Sequence, residues 1–286
     1  MPDQAMNTFR QLPKFDCEPS VKCFNAALSA LYGAKQHERV LDLYSEIKET
    51  LNINPNLTTF LTVMKALCKI GSTNSGYLML DEMVKHGCSP DTVTFNVVLK
   101  GFYNEGKPQE AARVLEKMCQ IGCYPDVNTY NIRILNLCNE SKSFEAKELL
   151  RIMRAEGIRP NALSYNTLIE GFCKEHNLVE ANRVFVDMAG NECDPNNQSY
   201  YTFIYYLCVE EEFVWASEVC DASMRKNWVP NISVMQMLVE GLVKISKVDS
   251  ACRIIGEARS RFPSRCVGLW DDIEKTLSEV SGCLQS

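Results

Sequence analysis

The stretch Thr92–Asp126, TVTFNVVLKGFYNEGKPQEAARVLEKMCQIGCYPD, holds two helical patterns separated by a turn. Its apolar side chains recur at three- and four-residue steps, first at Phe95, Val98, Leu99, Phe102 and Tyr103 and then at Ala111, Val114, Leu115 and Met118. Gly106 lies between the two patterns and suits a turn that needs positive φ. Pro125 and Asp126 close the stretch and let a new helix begin, because an acidic side chain caps a helix N-terminus well. The stretch therefore predicts a helical hairpin.

The landmarks of this hairpin return at a fixed interval. Proline occurs every 35 residues from Pro55 to Pro230, and each of these prolines is followed by Asn or Asp. An aromatic residue and an alanine keep the same step, apart from 36 residues between the first two rings, at Phe24, Phe60, Phe95, Tyr130, Tyr165 and Tyr200 and at Ala111, Ala146, Ala181, Ala216 and Ala251. We expect the aromatic rings to lie in the core. A period of this size is typical of a solenoid.

Cutting the chain after the residue that follows each proline gives seven units, namely 21–56, 57–91, 92–126, 127–161, 162–196, 197–231 and 232–266. Residues 1–20 match the second helix of a partial repeat, and 267–286 carry the helical spacing of a capping helix. A lone hairpin cannot bury its apolar face, so neighbouring hairpins must stack. We therefore predict an all-α fold, a right-handed α-solenoid (superhelix) of helix-turn-helix 35-residue repeats.

Composition narrows the function. With 30 basic and 36 acidic residues the net charge is -6, which argues against gripping nucleic acid by bulk electrostatics. We find no apolar run near the roughly 20 residues that a membrane span needs, and no secretory signal, so we expect no membrane association. The 14 cysteines follow the repeat period and form no Cys-x-x-Cys pair. We expect reduced thiols in a reducing compartment, no metal and no cofactor.

The stretch Thr92–Asp126 and a second one, ALSYNTLIEGFCKEHNLVEANRVFVDMAGNECDPN (Ala162–Asn196), resemble the pentatricopeptide repeat. The 35-residue step and the Tyr-Asn and Pro-Asp/Asn elements favour it over the 34-residue tetratricopeptide repeat. The resemblance implies a P-class, plant organellar protein that binds single-stranded RNA and reads about one base per repeat. It also implies a mitochondrial location, with the chloroplast as the alternative and any targeting peptide upstream of this chain.

The family motif carries over to the fifth and the last residue of each unit, which face the base. The pairs are Asn25 with Asn56, Leu61 with Asp91, Asn96 with Asp126, Asn131 with Asn161, Asn166 with Asn196, Tyr201 with Asn231, and Gln236 with Cys266. Asn with Asp implies uracil, and Asn with Asn implies cytosine or uracil. Leu61, Tyr201 and Gln236 depart from the motif, and their units are interpreted as spacers. The expected site reads pyrimidine, unknown, uracil, pyrimidine, pyrimidine from 5′ to 3′.

Two further roles follow from the resemblance. Val93 and Leu163 are the apolar second residues expected to stack on bases. Basic residues expected to contact the RNA backbone are Lys65, Lys69, Lys100, Lys174 and Lys244. The plainer alternatives are that the asparagines and lysines belong to a solvated face, and that the residues after proline only cap helices.

No catalytic motif accompanies the repeats. The His-x-Glu and Pro-Cys-x-x-Cys elements of a cytidine deaminase are missing, as are a phosphate-binding glycine loop and His-Glu-x-x-His. We therefore expect no enzyme and no binding to DNA, but an RNA-binding adaptor in organellar RNA stability, processing or translation. The alternative is a structural or protein-binding module, such as a subunit associated with the mitochondrial ribosome through its proteins or ribosomal RNA.

Overall fold

Helices account for the regular secondary structure of the computed structural model, which describes residues 2–12, 19–50, 53–228 and 231–261; no strand occurs in these ranges. Helix α1 (Pro2–Gln11) comes first. Seven hairpins follow: α2 (Val21–Gly33) and α3 (His37–Thr50), α4 (Leu57–Lys69) and α5 (Thr73–Lys85), α6 (Thr92–Asn104) and α7 (Pro108–Gln120), α8 (Val127–Asn139) and α9 (Ser143–Ala155), α10 (Ala162–Lys174) and α11 (Leu178–Gly190), α12 (Asn197–Val209) and α13 (Phe213–Arg225), α14 (Ile232–Lys244) and α15 (Val248–Arg261). We call the even-numbered members first helices and the odd-numbered members second helices.

The chain divides into two compact structural units, Met1–Ile132 and Arg133–Ser286, which we call the first unit and the second unit. The seven segments of the sequence analysis are called repeats from here on. In the first unit α2, α4 and α6 pack side by side, and α3 and α5 each contact the first helix of the next hairpin. In the second unit α10, α12 and α14 pack side by side in the same way, with α9, α11 and α13 against the following first helices. Each unit is thus a stack of hairpins with one layer of first helices and one of second helices. This confirms the predicted all-α solenoid of hairpins.

The repeated columns of the sequence form the core. The ring at the fourth position of each of the first six repeats is buried, from Phe24 at 0% exposure to Tyr200 at 6%, and Met235 takes this place in the seventh at 0%. The alanines from Ala111 to Ala251 are all fully buried in the second helices, where a small side chain lets neighbouring helices approach closely. The prediction that the rings are core residues is confirmed.

The turn inside each hairpin needs a left-handed residue. Gly106 adopts φ +65°, as its place in the sequence predicted. Ser141, His176 and Glu211 occupy the same register with φ of 56°, 56° and 59°. This conformation costs a non-glycine residue about 1–2 kcal/mol. The stacked hairpins therefore impose the turn even where the sequence gives no glycine signal for it.

Close helix packing explains a second glycine, Gly171 of α10. A Cβ at this position would lie 2.6 Å from both Cys138 Sγ of α8 and Ser143 Oγ of α9. Such a distance is too short for real atoms, so any larger residue must push the hairpin apart. Gly256 of α15 has no such neighbour within 4 Å and lies on the surface.

An acidic side chain links successive hairpins. Glu105, one residue past the end of α6, accepts a hydrogen bond at 2.9 Å from the backbone N–H of Thr73, the first residue of α5. It also accepts one from Lys107 Nζ at 2.6 Å. Burial raises the pKa of Glu105, but the hydrogen bonds from Lys107 and Thr73 outweigh it and leave the pKa below its usual value. The carboxylate therefore stabilises the start of α5, where unpaired N–H groups favour negative charge.

The remaining expectations concern cysteines and chain ends. The described cysteines are free thiols, and within the described ranges no cluster of His, Cys, Asp or Glu is arranged to hold a metal ion. None of the helices described is long and apolar enough to cross a bilayer. Helix α1 packs on α2. The predicted capping helix at 267–286 lies outside the described residues.

Candidate functional site

Hydrogen bonds tie the fifth residue of one first helix to the N-terminus of the next. On α2, Asn25 donates from Nδ2 to Oδ1 of Asn56 at 2.9 Å, and Asn56 is the N-cap of α4. Thr59, in the first turn of α4, donates its hydroxyl to Asn25 Oδ1 at 2.7 Å. The backbone N–H of Thr59 donates to Asn56 Oδ1 at 3.1 Å. We call this arrangement of two Asn/Asp side chains and one hydroxyl the amide network.

The amide network recurs at two further predicted pairs. Asn96 donates to Asp126 Oδ1 at 3.1 Å, and Thr129 donates to Asn96 Oδ1 at 2.8 Å. In the second unit Asn166 donates to Asn196 Oδ1 at 3.4 Å. Ser199 donates to Asn166 Oδ1 at 2.6 Å. Three predicted pairs are therefore brought together by the same contacts, while the base-reading role itself stays a prediction.

The network fixes which atom of the last residue is already used. A backbone N–H can donate only to an oxygen, so the bond from Thr59 identifies the Asn56 oxygen and thereby its amide nitrogen. In Asp126 the same oxygen, Oδ1, accepts from the Thr129 N–H at 2.8 Å. We call the other terminal atom of each side chain, the one besides Oδ1, its second branch. The second branch of Asn56 is consequently an N–H donor, and the second branch of Asp126 is an oxygen acceptor. These two otherwise matching positions differ in chemistry only at that branch.

Asp126 is held in its charged form. Partial burial raises the pKa of its carboxyl, but hydrogen bonds from the backbone and hydroxyl of Thr129 and from Asn96 lower it further than burial raises it. The net pKa lies below the usual value. An ionised carboxylate accepts hydrogen bonds and donates none. At neutral pH this position can therefore serve only a ligand group that donates.

The other predicted pairs are placed differently. Asp91 caps α6 through the Thr94 N–H at 2.8 Å, but its pair member Leu61 is a half-buried aliphatic side chain with nothing to donate. Asn231 caps α14 through the Val234 N–H at 3.0 Å, where a valine replaces the hydroxyl residue of the amide network. Gln236 donates to Glu240 at 2.8 Å, and its pair member Cys266 lies outside the described residues.

The remaining Asn–Asn pair, Asn131 with Asn161, has one member in each of the two units, so each residue is described alone. Asn131 on α8 is buried, with 6% of its surface exposed. Asn161 is the N-cap of α10 and accepts from the Ser164 N–H at 3.1 Å.

The predicted stacking and backbone residues are on the surface. Val93 and Leu163 are 51% and 57% exposed, as several other apolar residues of this chain are, and their side chains are available for contact. Lys65, Lys69 and Lys100 of the first unit are exposed and make no ion pair with any described residue. Two lysines of the second unit are paired instead.

Lys174 lies 2.7 Å from Glu170, and Lys244 lies 2.7 Å from Glu211. The five predicted backbone lysines thus fall into three unpaired residues in the first unit and two partly neutralised residues in the second. An unpaired ammonium attracts phosphate more strongly than one that already faces a carboxylate.

Sequence reasoning missed the hydroxyl residues that complete the amide network. They are the third residues of their 35-residue repeats, and the sequence keeps Thr or Ser there at Thr59, Thr94, Thr129, Ser164 and Ser199. The repeated hydroxyl column was a usable signal. It reads as an ordinary capping-box residue, which it also is at α4, α6, α10 and α12, and so its second bond to the preceding hairpin is visible only in the structure.

Stacked two-helix repeats of 35 residues with an amide network between successive first helices define a class of helical repeat protein. The sequence profile of the PPR repeat family matches residues 55–104, 90–139, 134–174 and 160–209. The chain belongs to the PPR, or pentatricopeptide, repeat family.

Relatives in Arabidopsis thaliana agree with this assignment. The pentatricopeptide repeat-containing protein At1g11630, mitochondrial, is 52% identical over 277 residues, which cover 97% of this chain and 68% of that protein. The small ribosomal subunit protein mS78 (rPPR3a) is 35% identical over 85 residues, or 30% of this chain and 21% of that protein. The protein At3g13150 is 36% identical over 83 residues, covering 29% of this chain and 15% of its own length.

Solved structures share the fold. The pentatricopeptide repeat protein PPR10 from maize superimposes with a TM-score of 0.61 at 20% identity, covering 98% of this chain and 43% of PPR10. PPR10 in complex with an 18-nt psaJ RNA element gives a TM-score of 0.63 at 22% identity, covering 97% and 41%. The chain therefore spans less than half the length of PPR10.

Proposed function

We propose that this protein binds single-stranded RNA along its first helices and reads pyrimidines with the amide network. The observation that carries the proposal is the second branch of the last residue in each network, an amide donor at Asn56 and Asn196 and a carboxylate acceptor at Asp126. The family and its RNA-bound member PPR10 support the same ligand class.

The chemistry of the bases gives the expected preference. Uracil carries a hydrogen on N3, so it can donate to the acceptor-only branch of Asp126. Cytosine has a bare N3, which would meet the carboxylate acceptor to acceptor. The amide donor of Asn56 or Asn196 suits the cytosine N3 and also a uracil carbonyl. With one base per repeat, the site is a pyrimidine, an unassigned base, uracil and two pyrimidines from 5′ to 3′.

The stacking residues and the location complete the proposal. Val93 and Leu163 would cover base faces, a contact worth about 1–3 kcal/mol per base in single-strand binders when aromatic side chains provide it. The name of At1g11630 supports a mitochondrial location. There the bound RNA would be an organellar transcript whose stability, processing or translation the protein affects.

The test is the substitution Asp126→Asn, which should remove the preference for uracil over cytosine. Asn caps helices about as well as Asp, so the variant keeps its α8 N-terminus. Binding is measured by fluorescence anisotropy with adenine-flanked CAUCC and CACCC RNAs, which differ only at the third position. The unmodified protein should favour CAUCC about tenfold, equivalent to about 1.4 kcal/mol. Asp126→Asn should bind both RNAs within about threefold, or roughly 0.6 kcal/mol.

Asp91→Asn is the matched control. It makes the same substitution at the same kind of helix cap, but its pair member Leu61 offers no amide, so the preference at the third position should be unchanged. Equal binding of both RNAs by the unmodified protein, or an effect of Asp91→Asn as large as that of Asp126→Asn, contradicts base reading by the network.

A second candidate function is a ribosome-associated module that holds a protein or ribosomal RNA. The similarity to mS78 favours it, as do the carboxylates beside Lys174 and Lys244. Weak, sequence-independent RNA binding in the assay above, together with co-sedimentation of the protein with mitochondrial small subunits, would support this candidate over the first.

A further inference from the structure

One first helix carries aromatic rings at two positions where most of the others carry amide or charged side chains. Tyr201 of α12 occupies the register of Asn166 on the adjacent helix α10. Tyr205 follows one turn later, at the register that holds Lys65 and Lys100 in the first unit. Residues four apart share a helix face, so these two tyrosines form a single surface.

The amide network is lost on both sides at this repeat. Tyr201 has no amide to donate to Asn231, and Val234 has no hydroxyl to donate back. Because both groups are missing, this repeat cannot read a base through the hydrogen bonds of the amide network. This repeat was interpreted from the sequence as a spacer, but its side chains form an organised cluster.

The rings of the cluster are ordered by one another. The Tyr201 and Tyr205 rings are nearly parallel, with centroids 6.3 Å apart and planes inclined by 14°. Tyr206 meets Tyr205 edge to face at 5.2 Å and 80°, which restricts the Tyr205 ring. We call Tyr201 and Tyr205 the tyrosine pair.

The tyrosine pair is separate from the core of the hairpin. Tyr200 and Phe203, the core rings of α12, are buried and contact Phe185 of the second helix α11. Both members of the pair are half-buried and so keep part of their surface accessible. Helix α12 contains no charged residue, so the side chains that this helix itself offers to a ligand are aromatic or neutral. The charges beside the cluster belong to α10, where Lys174 and Glu170 act on Tyr206.

We propose that the tyrosine pair is a stacking platform for one base of the bound RNA, at the sixth nucleotide, and that it accepts any base. The inference rests on the proposed function, since it extends the same strand beyond the last amide network. An aromatic face suits a base because every base has a π-face, whereas a phosphate needs a positive charge or N–H donors. Purines and pyrimidines should therefore be held alike.

The test is a coupling experiment between protein and RNA. Affinities are measured for the adenine-flanked CAUCC RNA with a normal or an abasic sixth nucleotide. The unmodified protein should bind the abasic RNA about tenfold more weakly, or roughly 1.4 kcal/mol. Tyr201→Leu/Tyr205→Leu should bind both RNAs equally and at that weaker level. Tyr201→Phe keeps the ring and should behave like the unmodified protein.

Three results overturn the proposal. If the unmodified protein binds the abasic RNA as tightly as the normal RNA, the tyrosine pair does not stack on a base. If the protein prefers one base at this nucleotide by more than tenfold, the base is recognised by hydrogen bonds to its edge and not by stacking. A loss in Tyr201→Leu/Tyr205→Leu that is equally large with the abasic RNA shows a structural role. Uracil preference at the third nucleotide is measured in parallel: if it persists, only the platform fails, and if it is absent, the RNA-reading function fails with it.

Discussion

The unequal pairing of the lysines predicts how RNA binding should depend on salt. We consider Lys65→Gln/Lys69→Gln/Lys100→Gln, which removes the three exposed lysines of the first unit that have no ion pair among the described residues. Each phosphate that a protein neutralises adds about -0.7 to the slope of log K against log salt for single strands. Three such contacts amount to a slope of about -2.

The expected effect is large enough to measure. Between 50 and 200 mM salt a slope difference of about 2 changes affinity by about 20-fold. The unmodified protein should therefore lose about 20-fold more affinity than the triple variant over this range when titrated with labelled CAUCC RNA. At the higher salt concentration the two proteins should approach each other, because the interaction removed is electrostatic.

The second unit supplies a matched control. Glu170→Gln/Lys174→Gln removes an ion pair whose atoms are 2.7 Å apart and leaves the net charge unchanged. Its slope should equal that of the unmodified protein within about 0.3, less than half of one phosphate contact. A triple variant with the original slope, or a control variant that loses as much slope as the triple variant, would refute the assignment of phosphate contacts to the first unit.

Three further predictions concern stability and thiol chemistry. Gly171→Ala should lower the free energy of unfolding by about 1–3 kcal/mol because its Cβ would overlap Cys138 and Ser143, whereas Gly256→Ala on the open face of α15 should raise it by about 0.5–1 kcal/mol; urea titrations of both check this. Glu105→Ala should cost about 1–2 kcal/mol at neutral pH through loss of the bond to Thr73. Because the folded pKa of Glu105 is depressed, its contribution is complete above the unfolded value of about 4.3 and declines as pH falls through the folded pKa, so unmodified protein and variant should converge in acid. Burial raises the pKa of Cys173 to about 12, so iodoacetamide should modify exposed Cys252 in the native state and Cys173 only after unfolding.

The fold could be predicted from the sequence because each 35-residue repeat carries the same pattern of buried residues. Phe60, Phe95 and Tyr130 mark one column, and a periodic column of rings and alanines has few explanations besides stacked hairpins. The αL turns at Ser141 and Glu211 were not readable, since no glycine marks them. There the packing of two helices decides the backbone, and local preference is overridden.

The site was readable only in part, because sequence names residues and not their partners. The pairing of Asn96 with Asp126 followed from family resemblance, whereas the bond that Thr129 adds to it needed coordinates. Lys69 and Lys174 hold the same register and were given one role, yet only Lys174 lies beside a carboxylate, because Glu170 stands where the preceding repeats have Leu135, Lys100 and Lys65.

That last register shows how such a chain can vary its ligand contacts without endangering its fold. From the second repeat onward, the residue one turn after the fifth position is Lys65, Lys100, Leu135, Glu170, Tyr205 and Glu240 in successive repeats. The neighbouring core columns stay aliphatic, aromatic or small throughout, so the surface residue can change from base to acid to ring while the helices pack in the same way. Net charge is then a poor guide to binding, because a total of -6 still leaves the exposed Lys65, Lys69 and Lys100 without an ion pair among the described residues.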